Sequence, residues 1–179
     1  MKKSAFVIIW VSSLLLFACE SNVPDQKEVS ISPDRVEEVF PADDSIPEDL
    51  IIRLQRTPCY GECPAYLMTV KADGKVSFFG QNHVEKMGQT EDKIGVDKIK
   101  QLIEEFKKAD FFNLEDNYTS ENCATDNPTV RTTLFINGKT KKIEHDTGCE
   151  APKELTALED KIDEIVGSEK WVGEKKAEK

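Results

Sequence analysis

The sequence predicts an α+β fold: an antiparallel sheet with two helices packed on one face, a two-layer sandwich. Three observations carry this. Apolar, strand-like runs come in pairs joined by short turns, at Asp73-Gly74 and at Asn137-Gly138. Two segments repeat apolar residues at helical spacing along a single stripe. The order is strands, helix, hairpin, helix, with no alternating strand–helix–strand run. Hairpin-joined strands make antiparallel sheets, and a helix with one apolar stripe has one face to bury.

The elements follow in order. Leu50, Ile51, Ile52 and Leu54 form a short apolar run ending at Thr57-Pro58, a strand. After Pro64 the chain alternates, with Tyr66, Met68 and Val70 on one side and Leu67, Thr69 and Lys71 on the other. The turn at Ala72-Asp73-Gly74 leads into Val76-Ser77-Phe78-Phe79. A three-residue loop pairs Val70 with Val76 and Met68 with Phe78, which brings apolar side chains together, and Gly74 suits its left-handed position. Another strand is expected around His83–Thr90. Ile99, Leu102, Ile103 and Phe106 then mark an amphipathic helix with Asp97 as its N-cap. A polar stretch runs to Asn127. Val130–Ile136 and Lys139–His145 flank Asn137-Gly138, the pattern of a two-residue hairpin turn. Leu155, Leu158, Ile162, Ile165 and Val166 mark a second helix, with Pro152 at its first turn and Gly167 beyond its end.

The N-terminus predicts export. Lys2 and Lys3 precede an apolar stretch from Ala5 to Ala18, too short to span a bilayer comfortably. Leu-Leu-Leu-Phe-Ala-Cys at residues 14–19 resembles the lipobox of bacterial lipoproteins, which implies a signal peptide over 1–18 and lipid on Cys19. Residues 19–48 read as an acidic, disordered tether. Nine acids stand there against Lys27 and Arg35, with Pro24, Pro33, Pro41 and Pro47 between them. Residues 49–166 are one domain, and 167–179 a charged, flexible tail whose Trp171 is suited to dock back onto the domain. Removing residues 1–18 takes away two lysines and no acid, leaving 22 basic against 34 acidic residues and a net charge of −12. That charge repels nucleic acid and anionic lipid.

Four cysteines remain beyond Cys19, and an even number in an exported domain reads as disulfides. Of three connectivities, hairpin geometry favours one. Paired residue numbers in the Asn137-Gly138 hairpin add to 275, and Cys123 with Cys149 adds to 272, so the hairpin brings their flanks together. Cys59 and Cys63 close a small loop around Gly61. A sharper reading of Cys59-Tyr-Gly-Glu-Cys63-Pro64 is a copper or redox site. The spacing is similar to the Cys-x3-Cys-Pro of Sco-type copper proteins, with His145 in the role of the distant histidine. The strand pattern that follows at once departs from that family, whose motif opens a helix. Asp146-Thr147-Gly148 reads as a turn, and the acids between Asp116 and Asp126 as a loop without calcium-loop spacing. No nucleophile elbow, phosphate loop or zinc-protease helix is present, so no enzyme activity and no cofactor is expected.

Cys59-Tyr60-Gly61-Glu62-Cys63-Pro64-Ala65-Tyr66, followed by Asp73-Gly74-Lys75-Val76 and Phe79-Gly80, resembles the DUF6438 family of bacterial envelope proteins. The match covers roughly residues 50–115, and the later hairpin and helix fit the family layout more loosely. Cys123 and Cys149 do not map onto the motif. The family carries no assigned activity. The expectation is therefore a lipid-anchored, extracytoplasmic protein with a disulfide-stapled, non-catalytic binding or structural domain. A loop holding Tyr60, Gly61 and Tyr66 is its candidate binding surface. Its expected partners are a membrane, through the lipid, and another envelope protein, bound through that loop or the sheet face.

Overall fold

The computed structural model describes residues 39–124 and 126–173. The signal segment and Cys19 lie outside these residues. Seven strands form one sheet: β1 (Ile51–Arg56), β2 (Ala65–Lys71), β3 (Lys75–Asn82), β4 (Gly88–Lys93), β5 (Asn117–Tyr118), β6 (Thr129–Ile136) and β7 (Lys139–Asp146). Their spatial order is β4-β3-β2-β1-β6-β7-β5. Every pairing is antiparallel except that of β5, which runs parallel to β7. The helices are α1 (Val96–Lys108), α2 (Lys153–Val166) and a single turn, α3 (Glu169–Val172).

Alternation decides which face is buried. Ile52 and Leu54 of β1 face the core, flanked by Val70 and Met68 on β2 and by Leu134 and Thr132 on β6. The β2–β3 register pairs Val70 with Val76 and Met68 with Phe78, as apolar matching requires. The β6–β7 hairpin pairs Ile136 with Lys139 across its two-residue turn, and Asn137 and Gly138 both take positive φ. Over the buried face lie the apolar stripes of α1 and α2, which also touch each other. Burying such a stripe contributes about 1.5–3 kcal/mol for each fully enclosed large side chain.

Several expectations change. The strand expected around His83–Thr90 starts at Gly88 instead. His83 has φ 47° and Gly88 φ 76°, so the chain turns between them. The strand itself, Gly-Gln-Thr-Glu-Asp-Lys, carries no apolar alternation to read, because it is the sheet edge and its side chains meet little of the core. Gly95, not Asp97, caps α1: the Gly95 carbonyl accepts from the Lys98 and Ile99 amides at 3.1 and 3.3 Å. Asp97 sits within the first turn, where its charge complements the helix dipole.

The domain is also larger than its two helices and strands suggest. The expected tether reached residue 48, but Val39 and Phe40 are buried, and Phe40 meets the Phe112 ring edge-on at 5.8 Å. Acids and prolines outnumber apolar residues along that segment, which makes it read as solvated, yet these two side chains find the core. The expected tail from residue 167 likewise packs. Trp171 is 6% exposed and lies against Phe78, ring centres 5.0 Å apart, and α3 carbonyls accept the Glu85 and Lys86 amides. Docking of the Trp171 side chain orders the turn that carries it.

Candidate functional site

One end of the sheet gathers the chemistry. Three strands end there on polar residues that occupy inward positions. Arg56 continues the Ile52, Leu54 alternation, Tyr66 opens the Tyr66, Met68, Val70 series, and His145 follows Ile143. Register places them on one row across the sheet: Tyr66 pairs with Arg56, Arg56 with Val130, and Val130 with His145. Above the row lie two carboxylates one turn apart on α2, Glu159 and Asp163.

Asp163 takes one side. It accepts the Tyr66 hydroxyl at 2.6 and 2.7 Å, Arg56 Nε at 3.0 Å and the Ser168 hydroxyl at 2.6 Å. Burial and then the Asp163 carboxylate push the Tyr66 phenol far above its ordinary pKa, so it stays a donor. Burial works to lower the Arg56 pKa, but Asp163 and Tyr66 outweigh it and hold the guanidinium charged. Glu159 takes the other side. Its Oε2 lies 3.0 Å from His145 Nδ1, and both residues are buried. Burial raises the Glu159 carboxyl above its ordinary value, opposed by the His145 hydrogen bond. Among the described residues no donor reaches Glu159 Oε1.

A pocket of about 470 Å³ opens beside this row. Arg56, His145, Thr156, Glu159 and Asp160 line it, with Thr147, Cys149, Glu150 and Ala151 on the side of the β7–α2 connection. One disulfide reaches its wall through Cys149. Cys59 is bonded to Cys63 and Cys123 to Cys149, with Cα atoms 5.6 and 4.9 Å apart. The loops are also tied to one another, by the Tyr60 amide on the Asp126 carbonyl and the Ala124 amide on the Gly148 carbonyl. Two closed disulfides fit an oxidising, extracytoplasmic location.

The expected site residues separate here. Tyr60 is 90% exposed at the tip of the first stapled loop, with Gly61 beside it. Tyr66, expected in the same binding loop, is instead buried and stacked on Phe78 at 5.2 Å. It is the first inward residue of β2, and its ring fills the core while its hydroxyl reaches Asp163. His145, cast as a distant copper ligand, meets Glu159 and lines the pocket with Cys149, not with Cys59 or Cys63. Among the described residues, no three His, Cys, Asp or Glu side chains group as a metal-ligand set.

The family model for DUF6438, described as a domain of unknown function, matches residues 50–166. The chain belongs to the DUF6438 family. No curated protein matches it. The DUF6438 match takes in both disulfides, the charged row and α2. The packed unit continues past it on both sides, through Val39 and Phe40 before and Trp171 after.

Arg56, Glu159, Asp160 and Asp163 do not stand out in the sequence as site residues. A signal for three of the buried polar groups is there nonetheless. Glu159 lies on the Leu155, Leu158, Ile162 stripe of α2, at i+4 from Leu155, while Arg56 and His145 each extend an inward apolar alternation. A charged residue where periodicity calls for an apolar one marks a buried polar group in need of partners.

Proposed function

We propose that this chain is a lipid-anchored protein of the bacterial cell envelope, held by Cys19, and that its DUF6438 domain is a non-catalytic binding domain. The observation that carries the binding reading is the stapled sheet end, where a disulfide-closed loop presents Tyr60 to solvent and a charged pocket opens beside the Arg56–His145 row. Exposed aromatic residues on rigid loops are the usual anchors of protein recognition. The address rests on the signal-like N-terminus, the cysteine at position 19 and the two disulfides. The partners are a membrane, through the lipid, and another envelope protein. The acidic charge argues against nucleic acid.

Cys19→Ser tests the anchor. The variant should leave the membrane fraction or remain unprocessed, and a cleaved, membrane-bound variant overturns lipidation. For binding, a photo-cross-linking residue in place of Tyr60 should give a discrete adduct in cells that the same residue at Glu91, on the far edge strand, does not. Equal or absent adducts overturn the binding reading. Tight Cu(I) binding that disappears in a Cys59→Ala, Cys63→Ala variant would replace it with thiol chemistry.

A further inference from the structure

The stapled-end pocket holds more negative than positive charge. Glu150, Glu159 and Asp160 stand on its walls against Arg56. Arg56 is already matched: its Nη2 lies 2.9 Å from Asp163 and 3.6 Å from Asp160, and it also donates to the Glu159 carbonyl at 3.3 Å. His145 Nδ1 is taken by Glu159 Oε2. Glu159 is 3% exposed, and its second carboxylate oxygen has no donor among the described residues. Glu159 belongs to the pocket lining, and a buried acceptor with no donor costs about 1–3 kcal/mol. Nearby, the Thr156 hydroxyl donates to the Lys153 carbonyl, which leaves its oxygen free to accept.

We propose that this pocket takes a primary ammonium group on a flexible chain, with Glu159, Asp160 and the Thr156 oxygen as its acceptors. An ammonium has three donors and no acceptor, which matches a wall of acceptors. Its charge matches the surplus of carboxylates, and the hydrogen bond to a carboxylate is of the stronger, charge-assisted kind. The volume fits a chain of a few carbons. Competing with this is an anion, because Arg56 and the N-terminal turn of α2 bring positive charge to the same place. Three carboxylates on the walls weigh against it. Two sources carry the ammonium chemistry: a free aliphatic amine, or a lysine side chain on a partner protein. The proposal rests on the reading of this domain as a binding domain and names what it binds.

Amide NMR of the full chain, purified in detergent, tests it with four probes. Pentylammonium represents the free amine and Nα-acetyl-lysine methylamide the side chain. The norleucine counterpart of the latter removes only the charge, and acetate supplies an anion. Saturable shifts around His145, Thr156 and Glu159 are expected with one or both ammonium probes and not with norleucine or acetate. Which ammonium probe binds more tightly identifies the source. Glu159→Gln should weaken the ammonium about tenfold or more. Asp160→Asn alters an exposed carboxylate that leaves the fold undisturbed, and should weaken it about threefold. Equal shifts with norleucine, or shifts with acetate alone, overturn the ammonium assignment while leaving a binding pocket. No shift from any probe overturns it as well, and the cross-linking at Tyr60 then decides the binding reading separately. Undiminished ammonium binding in both variants places the ammonium elsewhere and also overturns it.

Discussion

The two ends of the sheet are closed by different means. At one end the chain reverses through Ala72-Asp73-Gly74 and Asn137-Gly138, and turn chemistry does the work. The Asp73 carboxylate accepts the Lys75 amide at 2.9 Å, and Asp49 accepts the Asn137 and Gly138 amides at 3.0 and 2.7 Å. At the other end the connections at residues 57–64 and 119–128 are too long for a tight turn. Two disulfides and a few cross-loop hydrogen bonds hold them, and Arg56, Tyr66 and His145 end the strands beneath. Tight turns need only a carboxylate or two to complete their backbone hydrogen bonds, and they leave little exposed that is distinctive. Long loops have to be ordered by other bonds, and once ordered they display side chains. This end therefore carries the charged pocket and the exposed Tyr60.

Substitutions at either end of the sheet test these two kinds of closure. The largest effect is expected beneath the stapled end. Asp163→Ala leaves Arg56 with no close buried counter-charge and takes acceptors from Tyr66 and Ser168, at a cost of about 3–5 kcal/mol. Urea unfolding would measure it. A loss below about 1 kcal/mol would mean the cluster behaves as a surface ion pair. Next come the staples. Cys123→Ala with Cys149→Ala should cost about 3.5 kcal/mol on loop-entropy grounds, and the Cys59, Cys63 pair about 2, because its loop is shorter. Reversing that order in thermal unfolding would mean that native strain, not loop length, governs the staples.

At the turn end, Gly74→Ala tests local geometry. Gly74 has φ 81°, and a Cβ there would come within 2.3 Å of the Ile94 carbonyl oxygen. Backbone on both sides of that contact has to shift, so a loss of about 2 kcal/mol or more is expected. Gly138→Ala, with φ 72° and open space around it, should cost less, about 1 kcal/mol. Equal losses would remove the close approach as a cause.

The smallest effect is a pH dependence. Burial holds the Glu159 carboxyl above its ordinary value of 4.5, with His145 and Arg56 lowering it and Asp160 raising it. A carboxyl raised in this way favours the fold while protonated. Its contribution is complete below its unfolded value and is lost as pH rises through the folded one. Glu159→Gln removes that loss, so the variant should gain stability relative to the native chain over the interval of rising pH above the ordinary carboxyl value of 4.5. Thermal unfolding across that interval checks the sign. A variant that loses ground with rising pH would show that the ionised His145–Glu159 pair stabilises the fold.

What could be read from the sequence was whatever depends on near neighbours. Period-two alternation identified the buried face of β2, the turn at Gly74 decided the β2–β3 register, and the Asn137-Gly138 turn aligned β6 with β7. That alignment extended outward far enough to pair Cys123 with Cys149, as the structure has them. Edge strand β4 was expected too early because it has no apolar pattern to mark its bounds, and Asp97 misleads because a short polar residue near a helix start is only one way to cap it. The site escaped for a different reason. Arg56 and Asp163 are 107 positions apart, and nothing local to either residue indicates that they meet. Packing of α2 across the sheet alone decides that Glu159 rests on His145 and Asp163 on Arg56. The ordered segments flanking the family match follow the same logic. Val39 and Phe40 are too few to signal structure in an acidic context, while Trp171 stands out as a lone large apolar residue, and each is buried where a core built by other residues leaves room for it.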